Sequence, residues 1–353
     1  MLDIADISQR FKQFSQRECE GSSPLYALLA NRIAEDNEIL QLAACSRANQ
    51  PIPNLFLAAV HYLLLDGAQH GVSQYYDSIV RDPQPIDPET YLYLRDFCLQ
   101  HKKEMIELLE NKRVQTNEVR RCAYLYPSFC HIYGKTHKPL SLIEIGTSAG
   151  LQLNWDNYRY SYNHTECTFG DDLSKVHITS ELRGAGLPTL LKNSPPVVYK
   201  MGLDLHRNDL SNPDHYLWMK ALIWPEHRER AALFDQAAAS MNSYPLQITE
   251  GDGIALLPDI LKSIPEGTTV CIFHTHVANQ IPYADKMKLL AYIQQLGLQR
   301  DVFHLYNNMW DLDLHLDYFL NGEAFHETLA AVDGHARWFE WKGKGCIDHH
   351  QTV

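Results

Sequence analysis

The first 138 residues carry a helical pattern of apolar positions. Apolar residues recur there at three- and four-residue intervals, which places them on one face of an α-helix. No convincing alternation of apolar and polar residues, the pattern of a half-buried strand, occurs in this region. We therefore predict an all-helical N-terminal region over residues 1–138. The segments with helical spacing are Ile4–Phe14, Leu25–Ile33, Leu55–Leu65, Tyr91–Leu109 and Val119–Tyr133.

The pattern changes after Pro139, where short apolar runs end in glycine or acidic turns. Longer segments with helical spacing, such as His215–Met241 and Tyr283–Leu296, lie between several of these runs. Strands that alternate with helices are typical of a mostly parallel sheet. Near the end, Asp333–Gly334 separates two apolar runs, which predicts an antiparallel hairpin at the sheet edge. The predicted strands are Leu140–Gly146, Val197–Asp204, Leu246–Asp252, Val270–His274 and Val302–Tyr306.

Together these elements predict an α/β protein with two domains, as a chain of 353 residues allows. Residues 1–138 would form a helical cap or substrate region. Residues 139–353 would form a Rossmann-like, mostly parallel sheet with the C-terminal antiparallel hairpin. A tyrosine-rich segment over about residues 158–190 reads as an insertion before the second strand.

Composition narrows the class of partner. The net charge is 31 − 43 = −12, which disfavours nucleic acid and anionic membranes as partners of the whole protein. The 8 cysteines form no C-x-x-C pair, which favours reduced thiols in a cytoplasmic protein. The N-terminus has no apolar h-region, and the longest apolar stretch, Leu55–Leu65, is too short to span a bilayer. We expect a small-molecule or protein partner.

Chemistry-bearing residues lie at the ends of the first four predicted strands of the sheet. In doubly wound sheets, ligands bind at the carboxyl ends of the strands. Glycines there let a backbone approach a ligand closely, and acids accept hydrogen bonds from hydroxyl and amino groups. These residues are Glu144, Gly146 and Gly150 after the first strand, Asp204 after the second, Asp252 after the third, and His274, Thr275 and His276 after the fourth.

This ordered set resembles the class I methyltransferases that use S-adenosylmethionine. The resemblance implies that Glu144, Gly146 and Gly150 match the first cofactor motif. It also implies that Asp204 accepts the ribose hydroxyls and that Asp252 lies on the adenine side. Thr147, Ser148 and Asn154, which surround the glycines, join the expected cofactor-binding set. The nicotinamide motif G-x-G-x-x-G is absent from the turn.

One spacing departs from such sheets. The ribose acid usually follows the glycine turn by about 20 residues, whereas Asp204 lies 54 residues beyond Gly150. Asp171 and Asp172 have a better spacing, but the segment TECTFGDD does not read as an apolar strand. We therefore assign the ribose acid to Asp204 and explain the spacing by the insertion.

Longer motifs resemble a bacterial family known as domain of unknown function 2332, which is itself grouped with methyltransferase-like folds. The resemblance implies a fold and no substrate. The motifs are VQTNEVRR, LIEIGTSAGLQLNWDNYRY, GLDLHRNDL, LWMKALIWPEHRER, EGD, FHTHV and DGHARWFEW.

The segment QTNEVRR before the first strand has two interpretations. Thr116 or Asn117 would cap a following helix, with Glu118 in its first turn. Alternatively, Gln115, Asn117 and Arg120 fold over the cofactor or hold a substrate carboxylate, which suits the forked guanidinium of arginine.

The histidines after the fourth strand leave a choice. His274 would act as a general base for the acceptor, with Thr275 beside the substrate. His274 and His276 point to one face of a strand and would instead hold a metal in a hydrolase, although no complete ligand motif is present.

The leading hypothesis is thus an S-adenosylmethionine-dependent methyltransferase that needs no metal and acts on a small molecule or a protein. The alternatives are a non-catalytic binding or sensor module and a metal-dependent hydrolase that uses His274 and His276.

Overall fold

A computed structural model describes residues 3–163 and 167–343 of the chain. These residues form two compact units. The first contains the described residues up to Thr116 together with Asp209–Ala232, and the second contains the remainder. The boundary at Thr116 lies ahead of the predicted boundary at residue 138. One helix beyond Thr116 therefore belongs to the same unit as the sheet.

The first unit is helical, as the apolar periodicity predicts. Its core is built from buried apolar faces, for example Ile7, Phe11 and Phe14 of the first helix. Side chains cap the helix starts: Ser23 accepts a hydrogen bond from the amide of Tyr26. Its helices are α1 (Ile4–Phe14), α2 (Pro24–Ile33), α3 (Asn37–Ala43), α4 (Ile52–Leu65), α5 (Thr90–Gln100), α6 (Lys102–Asn111) and, after the sheet has begun, α8 (Pro213–Ala221), with a π-helical turn at Ser15–Cys19 and a 3-10 turn at Gly71–Tyr75.

The second unit is an α/β structure around one large sheet. Its helices are α7 (Cys122–Thr136), the C-terminal part of α9 (Arg228–Ser240), α10 (Gly253–Leu261) and α11 (Tyr283–Gly297), with 3-10 helices at Val119–Arg121, Leu151–Asn157 and Ala278–Gln280. Its strands are β1 (Leu140–Ile145), β2 (Arg159–Tyr162), β3 (Phe169–Gly170), β4 (His177–Arg183), β5 (Val197–Asp204), β6 (Gln247–Glu250), β7 (Thr269–His274), β8 (Val302–Tyr306), β9 (Leu314–Leu320), β10 (Glu323–Val332) and β11 (Trp338–Trp341).

The eleven strands are ordered β3-β2-β4-β11-β10-β9-β8-β7-β1-β5-β6. Pairing is parallel throughout the run β6-β5-β1-β7-β8. β9 then pairs antiparallel with β8 and with β10. Chain order reverses at β1, whose neighbours are β5 and β7, so this strand marks the switch point of the sheet. Every residue of β1 and β7 is buried, as expected for central parallel strands.

The predicted hairpin is present, because β10 and β11 pair antiparallel on either side of Asp333–Gly334. Its predicted place at the sheet edge is wrong, since β11 also pairs in parallel with β4. The segment read as an insertion supplies β2, β3 and β4, which extend the sheet beyond the hairpin. Local periodicity could not show this because the partners β4 and β11 lie far apart in the chain.

Within the described ranges, no helix has the length and apolar character that crossing a membrane requires.

Candidate functional site

The glycine turn leaves β1 at the switch point. Gly146, Ser148 and Gly150 have positive φ angles of 74°, 55° and 81°. A 3-10 helix follows at Leu151–Asn157. The left-handed conformation at two of these positions explains the glycines, because only glycine adopts it without steric cost.

The amide groups of this turn bond to the protein itself. Gly146 N–H donates to the Leu203 carbonyl at 2.7 Å, and Gly150 N–H donates to the Thr147 carbonyl at 2.8 Å. Ser148 N–H donates to Oδ2 of Asp204 at 2.7 Å. The turn therefore does not present these three donors to a ligand in this conformation.

Protein side chains lie over both glycines. A Cβ atom on Gly146 would lie 2.5 Å from Cγ2 of Val277, and one on Gly150 would lie 2.8 Å from Cδ1 of Leu246. Distances below about 3 Å are not tolerated by packed carbon atoms. The glycines are thus required for packing in addition to their φ angles, and the residue that covers Gly146 comes from the loop after β7.

Two buried acids brace the turn. Thr147 donates its hydroxyl to Oε2 of Glu144 at 2.5 Å. Burial raises the pKa of the Glu144 carboxyl to about 8, the charge of Asp204 also raises it, and the Thr147 hydrogen bond opposes both. Asp204 accepts from Ser148 through one oxygen and from the amide of His206 through the other, at 2.9 Å. Asp204 therefore has a structural role whatever else it binds.

A third acid, Asp252, lies beside Asp204 on the same edge of the sheet. Asp204 pairs with Glu250 in the parallel register of β5 and β6, and Gly251 N–H donates to the Asp204 carbonyl at 2.7 Å. Asp252 is exposed and caps α10 through Oδ1, which accepts from the amides of residues 254 and 255. Directly after Asp204, the side chain of Leu205 is 63% exposed. Carboxylates and an exposed apolar side chain therefore meet at this edge.

Asn117 holds the other side of the glycine turn. Its Nδ2 donates to the Thr147 carbonyl at 3.2 Å, and its Oδ1 accepts from the amide of Leu151 at 2.9 Å. It does not cap the helix; Glu118 instead caps the short Val119–Arg121 turn. Arg120 lies within that turn, and Gln115 belongs to the first unit.

Replacing Asn117 by alanine is expected to destabilise the second unit by about 2 kcal/mol, because the buried Leu151 amide loses its acceptor. Urea unfolding followed by circular dichroism measures this change. The exposed Asn279 is the matched control, and Asn279→Ala should change the free energy of unfolding by less than about 0.5 kcal/mol. Equal effects of the two substitutions would contradict a bracing role for Asn117.

Asn154 and Thr275 are both engaged by neighbouring groups of the protein. Asn154 is fully buried, and its Nδ2 donates to the Tyr244 carbonyl at 3.1 Å. Its Oδ1 accepts from Nζ of Lys200 at 3.3 Å. Thr275 donates its hydroxyl to Oε1 of Gln152 at 2.8 Å. For both residues the geometry favours holding the surrounding loops together.

His274 is fully buried and shares a hydrogen bond with His304, with 3.0 Å between their Nε2 atoms. Burial, with a smaller contribution from the charge of Lys286, lowers the pKa of His274 to about 3. A buried imidazole of low basicity, paired with another imidazole, is poorly suited to take a proton from an acceptor. The geometry therefore favours a structural role for His274.

His276 differs from His274 in backbone conformation and in surroundings. Its φ angle is 55°, and its backbone amide donates to Oδ1 of Asn307 at 2.8 Å. Nδ1 contacts Nδ2 of Asn308. Its Nε2 is buried without a hydrogen-bond partner in the described part of the chain. His274 and His276 do not converge on one point with a third ligand: over residues 3–163 and 167–343, no three His, Cys, Asp or Glu side chains are placed to hold a metal ion.

Sequence reasoning missed Val277, Asn307 and Asn308. Val277 is an ordinary apolar residue, and its position over Gly146 depends on how β7 lies beside β1. Asn307 and Asn308 follow directly after the predicted strand Val302–Tyr306, so the strand-end argument applied to the other strands would have found them.

Comparison with known proteins identifies the family. The pattern of an uncharacterized family conserved in bacteria, DUF2332, matches residues 8–341, and the chain belongs to this family. No curated protein and no solved structure is significantly similar to the chain.

Proposed function

We propose that this DUF2332 protein binds S-adenosylmethionine at the C-terminal edge of β1, β5 and β6 and transfers its methyl group to a small molecule or a protein. The observation that carries the proposal is the set of groups at that edge. Asp204 at the end of β5 and Asp252 after β6 supply carboxylates. The exposed Leu205, directly after Asp204, supplies an apolar surface. An adenosine has the complementary groups: a diol, an amino group and a flat ring.

The strand order supports the same proposal. In chain order the parallel strands β1, β5, β6, β7 and β8 are arranged 3-2-1-4-5 across the sheet. This is the order of the first five strands in doubly wound nucleotide-binding sheets. The glycine turn follows the strand at the switch point, where such sheets bind their ligands.

The residues present fit the adenosine part of the cofactor through side chains. Asp252 uses Oδ1 for the helix cap, so the described residues leave Oδ2 for an amino group of a ligand. Each oxygen of Asp204 accepts one backbone amide and retains a second lone pair for a hydroxyl. The amides of Gly146, Ser148 and Gly150 already bond within the protein, so these residues contribute shape to the site.

When bound, S-adenosylmethionine would supply a methyl group activated on a sulfonium. The chain's task is then to hold donor and acceptor in line, and approximation accounts for much of the rate in such reactions. We assign no proton transfer to His274, since it is buried against His304.

A non-catalytic binding module is the second candidate, and the burial of His274 favours it. The two candidates share the adenosyl site and differ in turnover. The metal-dependent hydrolase is not proposed, because His274 and His276 gain no third ligand among the described residues.

Calorimetric titration with S-adenosylmethionine and S-adenosylhomocysteine tests the site. Asp252→Asn retains a good helix cap but places an amide where the ligand needs an acceptor. We expect it to weaken binding about tenfold, the loss of roughly one hydrogen bond. Asp204→Ala is a poorer test, because it also removes the acceptor for the Ser148 amide.

Asp259→Asn is the matched control, since Asp259 lies on the same helix, is exposed, and carries the same charge. It should leave affinity unchanged. If neither ligand binds to the wild-type protein, the proposal is wrong. Equal effects of the two variants would show that Asp252 does not contact the ligand.

A further inference from the structure

An exposed aromatic surface lies at the same edge of the sheet, beyond the ends of β7 and β8. It consists of Tyr283 and Met287, which are four residues apart on one face of α11, and Trp310 from the loop after β8. We call these three residues the aromatic platform. The side chains of Tyr283 and Trp310 are 69% and 53% exposed. The largest exposed apolar patch of a protein, typically about 300–600 Å², is often functional.

The platform is held in place by specific contacts. The rings of Tyr283 and Trp310 pack edge to face with centroids 6.3 Å apart. Nζ of Lys286 lies 5.5 Å from the centroid of the Trp310 ring and donates to the Met309 carbonyl at 3.3 Å. These contacts fix the indole in one orientation and leave more than half of its surface open.

Lys286 supplies a positive charge to the platform. In the part of the chain that the structure describes, its ammonium forms no ion pair with a carboxylate, whereas the neighbouring Lys288 pairs with Asp285 at 2.8 Å. The protein carries a net charge of −12, so this ammonium is a local positive charge on an acidic protein. It favours an occupant that brings its own negative charge.

The size of the platform favours a small occupant. With 150–250 Å² for a whole aromatic side chain, the exposed parts of the three residues amount to roughly 300 Å². A stable protein interface needs about 800 Å² from each partner. The platform is therefore smaller than the surface that a second copy of this chain would need, and its area suits a small molecule.

The platform connects to the strand ends through its own loop. Asn307, which accepts the hydrogen bond of the His276 amide, begins the segment that contains Met309 and Trp310. The adenosyl edge at β1, β5 and β6 and the platform at β7 and β8 lie on opposite sides of the switch point.

We propose that the aromatic platform and Lys286 bind a small aromatic carboxylate, whose ring stacks on Trp310 and whose carboxylate pairs with the ammonium. That this ligand is the methyl acceptor rests on the proposed function. Binding itself does not, and it is measured without any adenosyl ligand.

The test uses indole-3-acetate and its neutral counterpart indole-3-acetamide as probes, titrated into the full chain by calorimetry and followed by saturation-transfer NMR. We expect saturable binding of the acid, at least tenfold tighter than the amide. Lys286→Gln should abolish this difference, with Lys288→Gln as a matched control that preserves it. Trp310→Ala should weaken both probes, whereas Leu298→Ala, at another exposed apolar residue, should weaken neither.

No saturable binding of the acid, or equal affinity for acid and amide in wild-type protein, would overturn the proposal. Self-association that Trp310→Ala abolishes would also overturn it and assign the surface to a second copy. If the acid binds as expected but S-adenosylmethionine does not, the platform stands and the methyltransferase proposal falls.

Discussion

Gly146→Ala is expected to destabilise the protein by about 3 kcal/mol, from two separate costs. The φ angle of 74° costs a residue with a Cβ atom about 1–2 kcal/mol. The new Cβ atom would also lie 2.5 Å from Cγ2 of Val277, and such overpacking costs about 1–3 kcal/mol. Urea unfolding measured by circular dichroism gives the change in free energy.

The variant Gly267→Ala measures the cost of the backbone conformation alone. The φ angle of Gly267 is 73°, nearly that of Gly146, but a Cβ atom there meets nothing within 4 Å. Gly267→Ala should therefore show only the cost of the backbone conformation, about 1–2 kcal/mol. In a Val277→Ala background, the cost of Gly146→Ala should fall towards that value, because only the Cβ atom of residue 277, at 3.1 Å, would remain close. If Gly146→Ala costs no more than Gly267→Ala, then Val277 does not confine the turn and the space over Gly146 is open to a ligand.

His304→Gln is expected to reduce the acid sensitivity of the protein. Between pH 7 and pH 5 its free energy of unfolding should fall by about 2 kcal/mol less than that of the wild type. Burial lowers the pKa values of both His304 and His274 in the folded protein. The charge of His274 lowers the pKa of His304 further, and the charge of Lys286 lowers that of His274 further. An unfolded histidine has a pKa of about 6.5. Between the folded and unfolded values the unfolded state binds more protons, so stability is lost as pH falls below about 6.5.

The substitution keeps the pairing and removes one titrating group. A glutamine amide can still bond to Nε2 of His274. Glu144 acts in the opposite direction, because its pKa is raised and the folded state binds its proton more tightly. For that reason the comparison is between variant and wild type at each pH, which cancels the contribution of Glu144.

The measurement is urea unfolding at pH 7, 6 and 5. The matched control is His326→Gln, since the side chain of His326 is 75% exposed. It should keep the acid sensitivity of the wild type. A His304→Gln protein that loses stability with falling pH as steeply as the wild type would show that the His274–His304 pair does not control the acid response.

Sequence by itself determined the α/β class and many of the elements. The apolar intervals place helices at α1, α2 and α4 and strands at β1, β5 and β7, because periodicity reflects which face of an element is buried. One predicted helix, Tyr91–Leu109, divides at His101, where the backbone leaves helical geometry. The strand-end residues Asp204 and Asp252 also follow from sequence, since the carboxyl ends of parallel strands share one edge.

Tertiary structure alone decided which groups those residues meet. That Val277 covers Gly146, that His274 pairs with His304, and that β4 extends the sheet beyond β11 are all contacts between residues distant in the chain. Local periodicity predicts that a side chain is buried, but it does not predict which residue that side chain contacts. The partner depends on strand order and register, and these arise only when the whole sheet packs.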